Sequence, residues 1–340
     1  MNLIEFRYLI MLVFLPILYW LLPRSMRLLA VSIFSLAAVA AFSYNSALAL
    51  ALITIFTYFV YHAAFITARQ ITLSIIALAL IFLAYKCLPL VGTSGASIAT
   101  NETGPIVLIG MAFYMLKAIR VLMDRQREPM RGSVPADLFF AYMLFFPTIL
   151  IGPIHGLQEF HNDWRQQSFS AERSSSAVER LIWGYAKLVL IGGYLVNFKM
   201  VYAIQDLPPG FYRFTEYLQD LRYGLHLYFT FAGASDVAIA FSSMLGFRIG
   251  ENFNHPFMAT SIAEFWRRWH ISLSSWVRNY VYAPLAAATR NHGATLILTM
   301  GLIGAWHELS VRYLIWGAYH GAGLVIHHRW SVYSNRFAKL

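Results

Sequence analysis

The chain has 340 residues, 59% hydrophobic and only 12% charged, with 26 Lys and Arg against 16 Asp and Glu for a formal net charge of +10. Apolar runs near twenty residues recur, which excludes an ordinary soluble domain and the short alternating strands of a membrane barrel, and predicts an all-α polytopic membrane protein. In such a chain the positive excess belongs to cytoplasmic loops and anionic lipid rather than nucleic acid, and one cysteine, Cys87, allows neither an intrachain disulfide nor a zinc cluster.

The first four apolar runs cover about 8–22, 27–43, 47–67 and 71–92. No small-residue cleavage site follows the first, so it reads as a retained helix. Arg24 and Arg27 follow the first run and Arg69 the third, whereas Tyr44-Asn45-Ser46 carries no charge and 91–104 holds a single acid, Glu102. Positive loops mark the cytoplasm, which predicts an extracytoplasmic N-terminus. Asn101-Glu102-Thr103 matches a glycosylation sequon, a pattern too short to carry weight.

A fifth run, 105–123, ends in Asp124-Arg125-Gln126-Arg127-Glu128, with Arg131 beyond, a cytoplasmic stop. The apolar stretch 138–154 is broken by Pro147, Gly152 and Pro153 and has charges on both flanks. A re-entrant hairpin keeps both flanks on one side, so that is the expectation. Residues 162–180 are polar and read as a cytoplasmic surface segment. A span follows at 181–203, then a turn at Leu207-Pro208-Pro209-Gly210, an apolar helix at 220–246, a mixed helix at 260–286, and two close spans at 294–309 and 311–328. Within 260–286, Glu264, Arg268, Ser272, Ser275 and Asn279 form one polar stripe at helical spacing, beside Trp and Arg typical of the lipid–water boundary.

The chemistry-bearing candidates are histidines in apolar surroundings, where ionisable groups are costly. His307 lies in Gly304-Ala305-Trp306-His307-Glu308. A neutral imidazole there suits a general base that takes a proton from a hydroxyl, and an interhelical hydrogen bond is the competing use. His270, in Arg267-Arg268-Trp269-His270, either orients the first histidine, binds a carbonyl, or marks an interfacial helix. His320 is a third intramembrane candidate, and His327 and His328 sit at a helix end. No HxxxH or HExxH spacing points to a metal, no GxSxG to a serine nucleophile, and no Walker motif to ATP-driven transport. Asp236, in an apolar helix, needs a partner, either another helix or a substrate. A proton-relay transporter lacks the paired intramembrane carboxylates and the repeated halves it needs.

Several of these stretches together resemble the membrane-bound O-acyltransferase family, in particular its bacterial branch of alginate-acetylating and teichoic-acid-alanylating membrane proteins. They are Phe231 to Ala240 running on to Met244-Leu245-Gly246-Phe247; Glu251 to Phe257; Ser261 to Pro284, with its RWH; Ala305-Trp306-His307; and Trp316 to Gly321. Gly152-Pro153-Ile154 with Glu159-Phe160 is also typical. The resemblance covers about 105–325 well and the N-terminal helices loosely. It implies one domain over 1–340, with N-terminal helices over 1–104 and a catalytic core over 105–328. It implies a funnel of tilted transmembrane helices with re-entrant and interfacial helices, in a bacterial inner membrane.

By resemblance His307 is the catalytic base and His270 the second catalytic histidine. Trp306, Glu308, Arg267, Arg268, Asn254, Asp236 and His320 are the remaining candidates for substrate contacts. No bound cofactor is expected; an acyl thioester on coenzyme A or an acyl carrier protein is the implied donor. The implied partners are membrane lipid, that donor, and an extracytoplasmic glycan or partner acyltransferase. Acetyl is the expected acyl group, with D-alanyl the alternative, and a non-catalytic subunit of a polysaccharide-modifying complex the other reading. Direct attack by the acceptor is favoured over a covalent acyl-enzyme. The chain departs from the branch at Glu308, where Gly is usual, and it stops at Leu340, short of the further C-terminal helices of the alginate type.

Overall fold

The computed structural model describes residues 6–92, 108–127, 134–149 and 152–337, and every regular element within them is helical. In chain order, α1 (Phe6–Leu21), α2 (Arg24–Phe42), α3 (Tyr44–His62) and α4 (Ala68–Gly92) follow the first four apolar runs. After them come α5 (Met111–Arg127), α6 (Ala136–Met143), α7 (Phe146–Ile149) and α8 (Leu157–Arg165). Next are α9 (Ala171–Tyr185), a π-helical stretch (Ala186–Lys199), α10 (Met200–Gln205) and α11 (Tyr212–Met244). The last group is α12 (Ile262–Arg268), α13 (Ile271–Val277), α14 (Ala283–Thr289), α15 (His292–His307) and α16 (Val311–Phe337). Of the loop expected at 91–104, residues 91 and 92 end α4; residues 93–104 with the sequon, Glu128, Arg131 and the tip of the 138–154 stretch at 150–151 lie outside the described residues.

Among the described residues, five helical runs are long and apolar enough to cross a membrane: α2, α3, Ala68–Cys87 of α4, Ala171–Gln205 and α11. Ile33, Leu52, Phe59 and Leu80 are exposed on them. Water penalises such faces and hydrocarbon does not, so this is a multi-pass membrane protein. The run Ala171–Gln205 is 35 residues long, about 52 Å as a helix, against a hydrocarbon core of about 30 Å. The polar residues 171–180, most of them exposed, form its leading turns.

The chain forms two compact units, each built from two separated stretches: 1–42 with 135–252, and 43–134 with 253–340. In the first, α6 and α7 measure only 8 and 4 residues, too short to span, and most of their side chains are buried. Pro147 sits in the first turn of α7, where a helix has no N–H partner to lose. Phe145, Phe160 and Phe247 pack beside them, the last two stacked with centroids 4.1 Å apart. Tyr142 donates to the His155 carbonyl at 2.9 Å.

In the second unit the continuous helix expected over 260–286 is absent. The chain runs as α12, a break at Trp269–His270, α13, a π-helical stretch (Arg278–Tyr282) and α14. His270 takes φ +44°, ψ 54°, the left-handed region that a side chain makes costly. The stripe from Glu264 to Asn279 is therefore not one face of one helix. Its first pair is an i, i+4 contact within α12, Arg268 bridged to Glu264. α15 and α16 form an antiparallel hairpin closed by Glu308–Ser310. Their backbones approach closely because Gly304 and Gly317 carry no Cβ. One added at Gly304 would lie 2.2 Å from the Tyr313 carbonyl oxygen, and one at Gly317 would lie 2.3 Å from that of Met300.

Candidate active site

His307 is the last residue of α15, and the chain leaves the helix at Glu308 in extended conformation, φ −154°. This puts the imidazole at the turn of the hairpin, open rather than packed away. The first turns of α16 then bring two rings back to it: Tyr313 at 6.0 Å and Trp316 at 5.9 Å between centroids. Trp306, the preceding residue, lies edge-on at 4.7 Å. One turn further along α16, His320 packs on Trp316 at 4.7 Å, and Trp266 of α12 closes the group at 5.3 Å from His320.

His270 approaches from the α12–α13 break. It is 5% exposed and lies between Phe253 and Phe113, each 6.1 Å away, with the Phe113 ring nearly parallel. Phe113 of α5 also meets Trp306 at 6.0 Å. The two histidines thus flank one aromatic bridge, Phe113 and Trp306. The left-handed backbone turns the ring of His270 inward. Two hydrogen bonds hold it: Trp269 N–H to the Phe265 carbonyl closes α12, and Ser274 N–H to the His270 carbonyl opens α13. Strained backbone of this kind costs about 1–3 kcal/mol and clusters at functional sites.

Three buried polar atoms here have no hydrogen-bond partner among the described residues: Trp306 Nε1, Trp266 Nε1 and His320 Nδ1. A buried indole N–H normally finds an acceptor, so Trp306 Nε1 is a donor the site holds ready. Behind Trp306 lies a cavity of about 70 Å³, lined by Leu116, Leu273, Trp276, Val277, Ile303 and other apolar groups. Lys86 of α4 donates to the His307 carbonyl at 2.9 Å and faces the Glu308 carboxylate electrostatically. Glu308 itself is exposed and makes no hydrogen bond with His307 among the described residues.

The other expected contacts divide. Arg267 is exposed on α12, while Arg268 is paired with Glu264. The Glu264 carboxylate accepts from the backbone and hydroxyl of Thr260 at 2.8 Å each, and with Arg268 these hold it down to about 2. Asn254 is exposed, its N–H donating to the Arg268 carbonyl at 2.9 Å. Asp236 belongs to the first unit. It accepts from Arg180 at 2.8 Å and Lys187 at 2.7 Å, and Arg180 also binds Glu251. The partner that an apolar helix demands for Asp236 is thus another helix. Sequence reasoning missed Phe113, Tyr313 and Lys86. Lys86 had a usable signal, a lone cation in an apolar run; Phe113 and Tyr313 had none.

Among the described residues the second unit thus gathers an open histidine, a buried second histidine and unpaired indole donors on and between its helices. The profile of the membrane-bound O-acyltransferase family matches residues 125–338, and the chain belongs to that family. It is 37% identical over 232 residues to a probable alginate O-acetylase of Pseudomonas syringae pv. tomato, covering 66% of this chain and 43% of that relative. It is 28% identical over 250 residues to the teichoic acid D-alanyltransferase of Bacillus subtilis, covering 68% and 62%. A peptidoglycan O-acetyltransferase of Helicobacter pylori is 28% identical over 270 residues, covering 69% and 50%. The chain therefore spans less than half the length of the alginate relative and less than two thirds of the other two.

Proposed function

We propose that this chain transfers a short acyl group, acetyl first, from a cytoplasmic thioester to a hydroxyl of an extracytoplasmic envelope polysaccharide or of a partner protein that passes it on. The observation that carries this reading is the open imidazole of His307 at the hairpin turn, with a buried second imidazole and the unpaired Trp306 Nε1 beside it. His307 takes the proton as the acceptor oxygen attacks the thioester carbonyl carbon. Trp306 Nε1–H donates to the carbonyl oxygen as it gains negative charge, and preorganised donors of this kind are worth most in a dry site. The C–S bond breaks, the thiolate leaves and is reprotonated, and the ester departs. His270, held behind the aromatic bridge, positions and polarises rather than attacks. The sequence has no GxSxG, and among the described residues no serine or cysteine hydrogen-bonds His307, so direct attack is the economical route.

The cavity behind Trp306 is lined by apolar side chains alone. That suits a methyl, and its lack of an acid disfavours the ammonium of D-alanyl. The relatives named for acetylation and the one named for D-alanyl transfer make the acyl group the first thing to measure. Mass spectrometry of envelope glycans, from cells with the gene, without it, and with His307→Ala restored at equal membrane level, tests the reading. Undiminished acylation in the His307→Ala cells sinks it.

The same reading places the chain in a bacterial inner membrane with its N-terminus outside. Arg24 and Arg69 then face the cytoplasm, which puts Lys86 and the His307 turn toward the outer side. The donor, coenzyme A or a carrier protein, arrives from the opposite face.

A further inference from the structure

A second cleft, of about 610 Å³, lies wholly within the second unit, along the end of the α15–α16 hairpin away from the His307 turn. Its lining includes Arg267, Arg278, His292 and His328, and no Asp or Glu. Neither arginine forms an ion pair among the described residues. Leu296, Met300 and Leu324 supply an apolar floor. Two buried polar atoms belong to residues that line it and have no partner among the described residues: Thr299 Oγ1, on a residue 5% exposed, and Trp266 Nε1. Cations without acids, a hydroxyl and an indole N–H left to donate, and hydrocarbon below them make up the recognition set for a phosphate ester carried on an apolar chain.

Two sources offer that chemistry, an anionic phospholipid and a soluble phosphate such as coenzyme A. The surroundings favour the lipid. α15 and α16 are apolar outside the cleft as well, exposing Leu298, Ile326 and Trp330, so the hairpin that carries the cleft is suited to lie among acyl chains, with an indole near one end as at membrane interfaces. α15 is 16 residues long, about 24 Å, most of a hydrocarbon core of about 30 Å, which sets this end in the leaflet opposite the His307 turn. With that turn toward the outer side, the cleft lies in the inner leaflet, where anionic lipid meets cationic side chains.

We propose that this cleft binds one anionic phospholipid, its phosphodiester held by Arg278 and Arg267, with Thr299 and Trp266 donating below and one acyl chain along Leu296, Met300 and Leu324. Only the leaflet assignment rests on the orientation read above; the site itself does not depend on acyl transfer. The test is native mass spectrometry of the full chain purified in detergent, with phosphatidylglycerol and phosphatidylcholine of equal chain length. The expected result is retention of phosphatidylglycerol over phosphatidylcholine. Arg278→Gln should weaken the anionic lipid about tenfold, the scale of one charge-assisted contact. Thr299→Val, nearly isosteric, should weaken it less and guards against a misfolded arginine variant. Equal retention of the two lipids by the unmodified chain overturns the proposal. So does displacement of phosphatidylglycerol by added coenzyme A, which assigns the cleft to the soluble donor. Loss of acyl transfer with lipid selectivity intact leaves the site standing and counts against the proposed activity alone.

Discussion

His307 and His270 divide the work by exposure. The first is open at a helix end, and the second is enclosed by Phe113 and Phe253. Replacing His307 with Ala should lower acyl transfer by about 10²–10⁴-fold, the usual worth of a general base, with protein level unchanged. Labelled acyl transfer to envelope material measures it. At position 270 backbone and side chain separate cleanly, because the residue is left-handed. His270→Gly should be more stable than His270→Ala by about 1 kcal/mol, since glycine pays little for positive φ. Both should lose transfer alike, and thermal melts in detergent decide the ranking; an Ala variant that matches Gly argues against strain at this break. The histidines and Trp306 were visible in sequence as polar or aromatic residues in apolar runs. The break at His270 was not, because Glu264 and Arg268 continue a helical spacing that the residues after them also keep.

At the scale of elements, the α15–α16 hairpin holds His307 against Tyr313 and Trp316, and glycine makes its spacing possible. Gly317→Ala puts a Cβ 2.3 Å from the Met300 carbonyl oxygen and should cost about 1–3 kcal/mol as the helices separate. Gly301→Ala, with nothing within 4 Å of its Cβ, should be neutral or better by helix propensity. A thermal-shift comparison of the two separates close approach from a general dislike of alanine. α12 carries its own signature. The Glu264 carboxyl is held down to about 2 by Thr260 and Arg268. A depressed carboxyl stabilises the fold above its unfolded value and loses that contribution as pH falls through the folded one. Stability should therefore decline between about pH 4.5 and pH 2, and Glu264→Gln should show a shallower fall across that window in pH-dependent melts.

For the whole molecule, the apolar faces of the candidate spans and the alternation of charged loops make one topological claim. On a Cys87→Ser background, Asn45→Cys should react with an impermeant maleimide from outside the cell. Arg69→Cys should react only after the membrane is opened. The reverse pattern would overturn the orientation. The two interleaved units are the feature least legible in the chain. Hydropathy marks each span, but which spans group together depends on packing between helices far apart in sequence.

The sequence alone determined the membrane class, most helix positions, the broken stretch at 138–154 and the candidate histidines. All of these follow from local quantities: transfer cost per residue, helical periodicity, proline's missing donor and the expense of a charge in hydrocarbon. The tertiary structure decided the rest. It gave Asp236 its two cations, brought Phe113 and Lys86 to the histidines, and split the helix at 260–286 to aim His270. Those outcomes depend on contacts between segments, which repay a local cost in backbone strain or burial that no single stretch of sequence records.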